Sequence, residues 1–429
     1  MPPSSSGPGH QPFKLKIRGS NPLGGTTFSM LNRLEGLQLI DPDWVALRKE
    51  FPSLEKISYL NTCSLGLLSN RCRVATERYL DLWLELGASA WYSHWMDEMI
   101  SLRAEFATLI SSEIEEIALV SSISAGLTAV SSSLDFSNRY KVVTTELDFP
   151  TLAYHFSALQ PRGVETIIVP SDDGVTVDIE RLAKQVDEHT ALLATSRVFF
   201  TTGWIQDIPA LSKICKKTGT LLLVDDYQAT GQVPLDIRKS GIDILLSGGL
   251  KWLLGGPGIS YMYVRNELIS SFQPTATGWF AQRDQFSFRV DSREYKEDAR
   301  RFEAGTPSVA SVYAGKAGVS LINEIGVENI RIRTLNLTKQ LVEKLYGNNF
   351  SLRIPLDLDR HASITMIETR ESRRVVEQLR EEGIIVDSRP GGVRLSPYFY
   401  NDEHDIARVV SSLVGIREAM PEFDNSKRL

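Results

Sequence analysis

From residue 116 to 264 the chain repeats one pattern: a short run rich in Val, Ile and Leu, then a stretch with helical spacing. The runs are EIALVS (116–121), KVVTTE (141–146), ETIIVP (165–170), ALLATS (191–196), LLLVDD (221–226), DILLS (243–247) and ISYMYV (259–264). Several are unbroken apolar runs, as strands buried on both faces require. Helical stretches near 124–134, 151–160, 178–187 and 207–218 separate them. Such alternation predicts an α/β domain on a mainly parallel, seven-stranded sheet. Ligands of such sheets sit at the carboxyl ends of strands.

The flanking sequence differs. Residues 1–34 are rich in Pro, Ser and Gly and carry Lys14, Lys16, Arg18 and Arg33; they read as a disordered tail, with organelle targeting as the lesser alternative. DPDWVALRKEFP predicts a short helix with Asp41 or Asp43 as its cap, ISYLNTCSLGLLS a strand and turn, and 71–87 and 95–111 two helices. Beyond residue 310 a long helix over 309–346, a strand at 363–368, a helix over 371–383, two short strands and a last helix over 403–418 predict a smaller α+β domain. The expected division is therefore 1–34, 35–310 and 311–429, in keeping with 429 residues at ~150 residues per domain.

The net charge is −6, which argues against nucleic acid or an acidic membrane as the partner. No apolar run reaches the ~18 residues of a membrane span. Cys63, Cys72 and Cys215 form an odd set without a CxxC spacing, so a reducing, cytoplasmic setting is expected and no metal site.

The chemistry concentrates in 221–264. Asp225 ends one strand, and Lys251 follows the next within SGGLKWLLGGPG. A lone lysine at a turn is ordinarily a surface group. Here the glycines let backbone approach a ligand, and burial would free the neutral amine for a Schiff base. A lysine for the aldehyde and an acid for the ring nitrogen are what pyridoxal 5′-phosphate (PLP) asks for. Gln228 stands within reach of the ring hydroxyl.

Other segments offer the remaining contacts. In SSISAGLTAV, Ser124 reads as a helix N-cap, and Ser122 and Ile123 present first-turn groups to a phosphate. Phe149 follows a strand and can stack on an aromatic ring. Thr306 is expected to cap a helix, and Trp279 to wall a pocket. Trp91, Tyr92, His94, Trp95 and Arg197 are further wall candidates. Arg389 and Arg394, in DSRPGGVRLSPYFYN, can clamp a carboxylate.

Together YLNTCSLGLL, SSISAGLTAV, ELDFP, VDDYQATGQVPLD, GGLKWLLGGPG, RFEAGTP and VRLSPYFYN resemble, in order, the class V aminotransferase family of fold-type I PLP enzymes. That family includes cysteine desulfurases, isopenicillin N epimerase and kynureninase. The resemblance, over about residues 55–418, implies that Lys251 forms the Schiff base and Asp225 pairs the pyridinium. It implies that Gln228 meets the ring hydroxyl, Ser124 the phosphate, Phe149 the ring face and Arg394 the substrate α-carboxylate. Trp279 and Thr306 match positions that approach the cofactor from a second subunit, which implies a homodimer with shared sites.

The departures bear on the reaction. Residues 385–397 hold no cysteine, unlike desulfurases. Leu250 precedes the lysine where desulfurases have histidine and kynureninases tyrosine. Leu152 and Gln228 replace a kynureninase Asp and His. The expected activity is therefore a lyase-type reaction at Cβ of an amino acid, such as C–S elimination. Transamination or epimerisation is the alternative, and a non-catalytic PLP-fold binding protein is the rival of another class.

Overall fold

A computed structural model of the protein describes residues 42–291 and 293–419; the expectation for residues 1–34 lies outside them. The first helix, Trp44–Lys49, is capped by Asp43, whose carboxylate accepts from the Val45 and Ala46 N–H groups. The predicted strand that follows is only two residues long, β1 (Ser58–Tyr59). Helices Asn70–Leu86 and Met96–Ile110 come next, joined through a π-helical turn at Trp91–Trp95.

The predicted runs form one sheet: β2 (Ile117–Val120), β3 (Lys141–Thr145), β4 (Glu165–Val169), β5 (Thr190–Ser196), β6 (Leu221–Asp225), β7 (Ile244–Gly248) and β8 (Ser260–Val264). Their spatial order is β2-β8-β7-β6-β5-β3-β4. Only β8 runs against its neighbours; the other pairs are parallel. Successive side chains on a strand point to opposite faces, so the apolar runs feed two cores. Leu193, Leu222, Val224 and Leu245 enter one; Leu192, Leu223, Ile244 and Leu246 enter the other. This is why the runs show no polar alternation.

The C-terminal part holds β9 (Thr365–Glu368), β10 (Ile384–Ile385), β11 (Asp387–Arg389) and β12 (Gly392–Leu395), with helices Ser372–Glu381 and Glu403–Ala419. β11, β12 and β9 form an antiparallel sheet. β10 pairs in parallel with β1, which carries Leu60 into the core of Leu337, Leu341 and Val393. Described residues, early and late in sequence, belong to one compact unit, Leu39–Leu429.

The long helix expected over 309–346 is instead two, Val309–Ile325 and Val327–Gly347. Gly326 separates them with φ +83° and ψ 129°, a conformation that side-chain-bearing residues avoid. The apolar spacing continues across this break, so periodicity alone could not reveal it. Gly326→Val is expected to lower stability by about 1–3 kcal/mol, read as a lower urea midpoint with an unchanged slope.

Candidate active site

β6 and β7 end side by side, with Ser196 of β5 opposite Asp225. Asp225 is buried, and its Oδ1 accepts from the Tyr227 N–H at 3.0 Å. Burial pushes its carboxyl up to about 6; the Tyr227 N–H and the Lys251 charge pull the other way. Lys251 is pushed down to about 8, chiefly by burial, with the Arg394 and Arg389 charges adding to that and the Cys63 and Asp225 charges opposing it. A neutral amine is therefore within reach near pH 8, against an ordinary lysine near ~10.4.

The Lys251 Nζ lies 4.3 Å from the Tyr227 ring centroid and 5.8 Å from that of Phe149. Among the described residues no ring contact joins Phe149 to Tyr227; Phe149 meets Phe200 edge-on at 5.2 Å. Tyr227 lies flat over Gly248, where a Cβ would come within 1.9 Å of its ring. A side chain at 248 would drive Tyr227 into the site. A cavity of about 240 Å³ opens here, lined by Ser122, Ser124, Phe149, Asp225, Tyr227 and Leu250, among others.

Helix Ile123–Ser131 starts at this cavity. Its cap is Ser122, not Ser124: the Ser122 Oγ accepts from the Ala125 N–H at 3.1 Å. The helix begins one residue earlier than its apolar spacing implies, so Ser124 falls in the first turn. Ile123 and Ser124 lie in that turn, where backbone N–H groups have no intrahelical acceptor.

Gln228 is buried and engaged at both ends. It donates to the Cys63 carbonyl at 3.0 Å and accepts from Trp252 Nε1 at 2.9 Å. Beneath the site Asp148 accepts from the hydroxyls of Thr144, Thr145 and Thr195 and the N–H groups of Thr145 and Ser196. It ties β3 to β5 under Asp225. Arg197, expected at the pocket wall, is instead buried against Asp226 at 2.6 Å.

A second polar cluster forms where β11 and β12 pair. Asp387 lies directly across from Arg394, and its Oδ2 takes the Arg389 Nη2 at 2.6 Å and the Arg394 Nη2 at 3.0 Å. Ser64 donates to the same oxygen and accepts from Arg394 at 2.7 Å. The segment carrying Ser64 is held by the Cys63 N–H on Ser396 Oγ and the Gly66 N–H on the Leu250 carbonyl. A Cβ at Gly66 would meet the Lys251 carbonyl at 2.2 Å, so only glycine lets this segment pass the lysine.

Trp279 and Thr306 do not line the Lys251 cavity. Trp279, about one-third exposed, packs against Phe280, Phe286 and Phe288. Thr306 lines a neighbouring cavity with Gly305 and Ala125. It does not cap the next helix, whose first flanking residue is Ser308, because Pro307 and Ser308 extend the turn. Trp95 is buried in a cluster with Leu82 and Tyr313, with Trp91 packed against it. Tyr92 is exposed beside Phe286, and His94 bonds its neighbour Ser93.

The donor set fits PLP. A buried carboxylate, two aromatic rings and a helix start carrying serines line one cavity, and the amine of a lysine with a lowered pKa lies beside both rings. Tyr227, Asp148, Cys63, Ser64 and Asp387 were not singled out from sequence. Asp387 had a signal: in D-x-R-P-G-G-x-R, a tight hairpin at Pro-Gly puts Asp387, Arg389 and Arg394 on one face.

Residues 85–409 match the model of the Aminotransferase class-V family. The chain is 32% identical over 366 residues to the "uncharacterized aminotransferase YcbU" of Bacillus subtilis, covering 85% of this chain and 96% of that protein. It is 28% identical to the kynureninase of Shouchella clausii, over 91% of this chain and 96% of that one. In structure it is similar to an apo cysteine desulfurase from Thermococcus onnurineus (TM-score 0.81, 23% identity, 89% of this chain and 100% of that one). It is also similar to a variant of C-DES with glycine covalently linked to its PLP cofactor (TM-score 0.80, 20% identity, 87% of this chain and 99% of that one).

Two outcomes follow for the apoprotein. The rate at which it takes up PLP, followed by absorbance, is expected to rise with pH and level off near pH 8, since only the neutral amine adds to an aldehyde; an unperturbed lysine would keep climbing to ~10.4. Gly248→Ala is expected to weaken PLP affinity at least tenfold in equilibrium titration, by displacing the Tyr227 ring, with little change in thermal midpoint.

Proposed function

The chain belongs to the Aminotransferase class-V family and is a PLP-dependent enzyme of that family; within it, we propose a lyase that eliminates a thiol-type leaving group from Cβ of a small α-amino acid. The observation that carries this reading is the isolation of the base. Leu250, which precedes Lys251, lines the cavity at the position where the resemblance leads one to expect an extra proton carrier. A thiolate leaves with little acid assistance, because its conjugate acid has a pKa near ~8.5. A site with an apolar residue in place of that carrier suits such a substrate better than one with a poor leaving group.

Lys251 and Asp225 would hold PLP by its aldehyde and ring nitrogen, Phe149 and Tyr227 by its ring faces, and Ser122, Ile123 and Ser124 by its phosphate. When bound, PLP supplies an electron sink for charge developing at Cα. Asp225, ionised above about pH 6, keeps a proton on the group it faces. Arg394 holds the substrate α-carboxylate. The Lys251 amine, with a pKa of about 8, takes the Cα proton near neutral pH, as a general base tuned to its working range should. Gln228, tied to Cys63 and Trp252, fixes the floor of the site and offers its remaining N–H to the cofactor.

Transamination is the second reading. It is favoured by the relative named an aminotransferase, and it would use Lys251 in the same way. A homodimer in which Trp279 and Thr306 complete the neighbouring site is proposed with either reading.

The distinguishing experiment incubates the holoenzyme with L-cysteine, S-alkylcysteines and L-alanine. Pyruvate, ammonia and free thiol in equal amounts are the expected products. Conversion of the cofactor to its amine form, with keto acid but no thiol release, would sink the lyase reading. Lys251→Ala is expected to remove product formation altogether, and Arg394→Lys to raise KM at least tenfold, because an ammonium cannot reproduce the guanidinium fork that Phe200, Ser64 and Asp387 hold in place.

A further inference from the structure

The cluster around Asp387 carries information about the substrate. Three charged groups share one corner: Arg394, which is buried, and Arg389 and Asp387, which are partly exposed. One Asp387 oxygen, Oδ2, receives both guanidiniums and the Ser64 hydroxyl. The corner therefore keeps a single surplus positive charge. Arg394 is about 1% exposed. Its Nη1 donates to the Phe200 carbonyl at 2.6 Å, its Nη2 serves Ser64 and Asp387, and its buried Nε has no acceptor among the described residues. Arg394 thus keeps one buried donor unpaired, which an arriving carboxylate oxygen would satisfy. Arg389 spends Nη1 on the Ser388 carbonyl and Nη2 on Asp387 and Ser64.

Resting on the amino-acid reading above, we infer that Asp387 is a built-in counter-charge that limits the site to one substrate carboxylate, so that the enzyme takes α-amino acids with uncharged side chains and rejects acidic ones. The α-carboxylate takes up the surplus charge. A second carboxylate would find Arg389 already neutralised and would face the Asp387 anion a few ångströms away. In a partly buried setting like charges at that range repel by more than they do in water. Removing the counter-charge leaves Arg389 free, and the same corner then accommodates two carboxylates.

The test is a spectral titration of the holoenzyme with isosteric pairs, L-asparagine against L-aspartate and L-glutamine against L-glutamate, together with L-alanine and L-cysteine. The natural protein is expected to bind the neutral member of each pair at least tenfold more tightly. In Asp387→Asn that preference is expected to shrink at least tenfold or reverse. Arg389→Gln, which leaves Asp387 in place, is expected to weaken both members while keeping the preference for the neutral one. Equal or tighter binding of the acidic member by the natural protein would overturn the inference and make Arg389 a second carboxylate site; so would an Asp387→Asn ratio equal to that of the natural protein. If Asp387→Asn does not fold, the natural protein's own ratio still decides. A cofactor spectrum that responds to none of the six amino acids overturns the amino-acid reading itself, and this inference with it.

Discussion

The structure is built around a carboxylate and an amine that are both kept out of water. Asp225 is pushed up to about 6 and Lys251 down to about 8. Holding each away from its usual range costs free energy, because the charged form of each has lost its water. The cost is met by the surroundings. The central strands β5, β6 and β7 are buried almost throughout, Asp148 is saturated with hydrogen bonds from β3 and β5, and Asp226 is neutralised by Arg197. Remove that support and the pair would relax toward solvent, losing the neutral amine the chemistry needs.

The same logic explains why the chain's early residues pass beside the lysine. The Cys63–Gly66 segment contributes little apolar area. It supplies a carbonyl for Gln228, a hydroxyl for the Asp387 corner and a backbone N–H for the Leu250 carbonyl. Each is a buried polar group that would be costly if left unpaired. Tyr398 adds a further tie, donating to the Gly231 and Trp252 carbonyls. The site is thus a junction of three stretches far apart in sequence, and its geometry depends on all three.

Two features bear on the reaction. The lysine amine lies near the Tyr227 and Phe149 rings, and its chain neighbour Leu250 is apolar, the feature on which the proposed lyase reading rests. The corner that holds Arg389 and Arg394 contains its own anion, Asp387, and on the inference drawn above that anion sets the charge the substrate side chain can carry. Both follow from placement: Leu250 and Asp387 are ordinary residues until the fold sets them beside Lys251 and Arg394.

What the sequence determined by itself was the sheet and the nature of the cofactor. Seven runs, several of them unbroken and apolar, each lie within about a residue of a strand, and all but the edge strand β4 are buried along most of their length. An acid and a lysine at successive strand ends, within an ordered set of motifs, pointed to PLP. Local pattern misjudged the break at Gly326, the Ser122 cap and the Thr306 turn, because backbone angles at single residues leave no trace in apolar periodicity. Only the tertiary structure decided that Tyr227 lies under the lysine amine, that Gln228 is tied to Cys63, and that Ser64 meets Asp387 and Arg394. Ser64 and Asp387 are 323 residues apart. Their contact exists because β1 pairs with β10, and a pairing between distant strands is fixed by the packing of the whole chain rather than by either strand's residues.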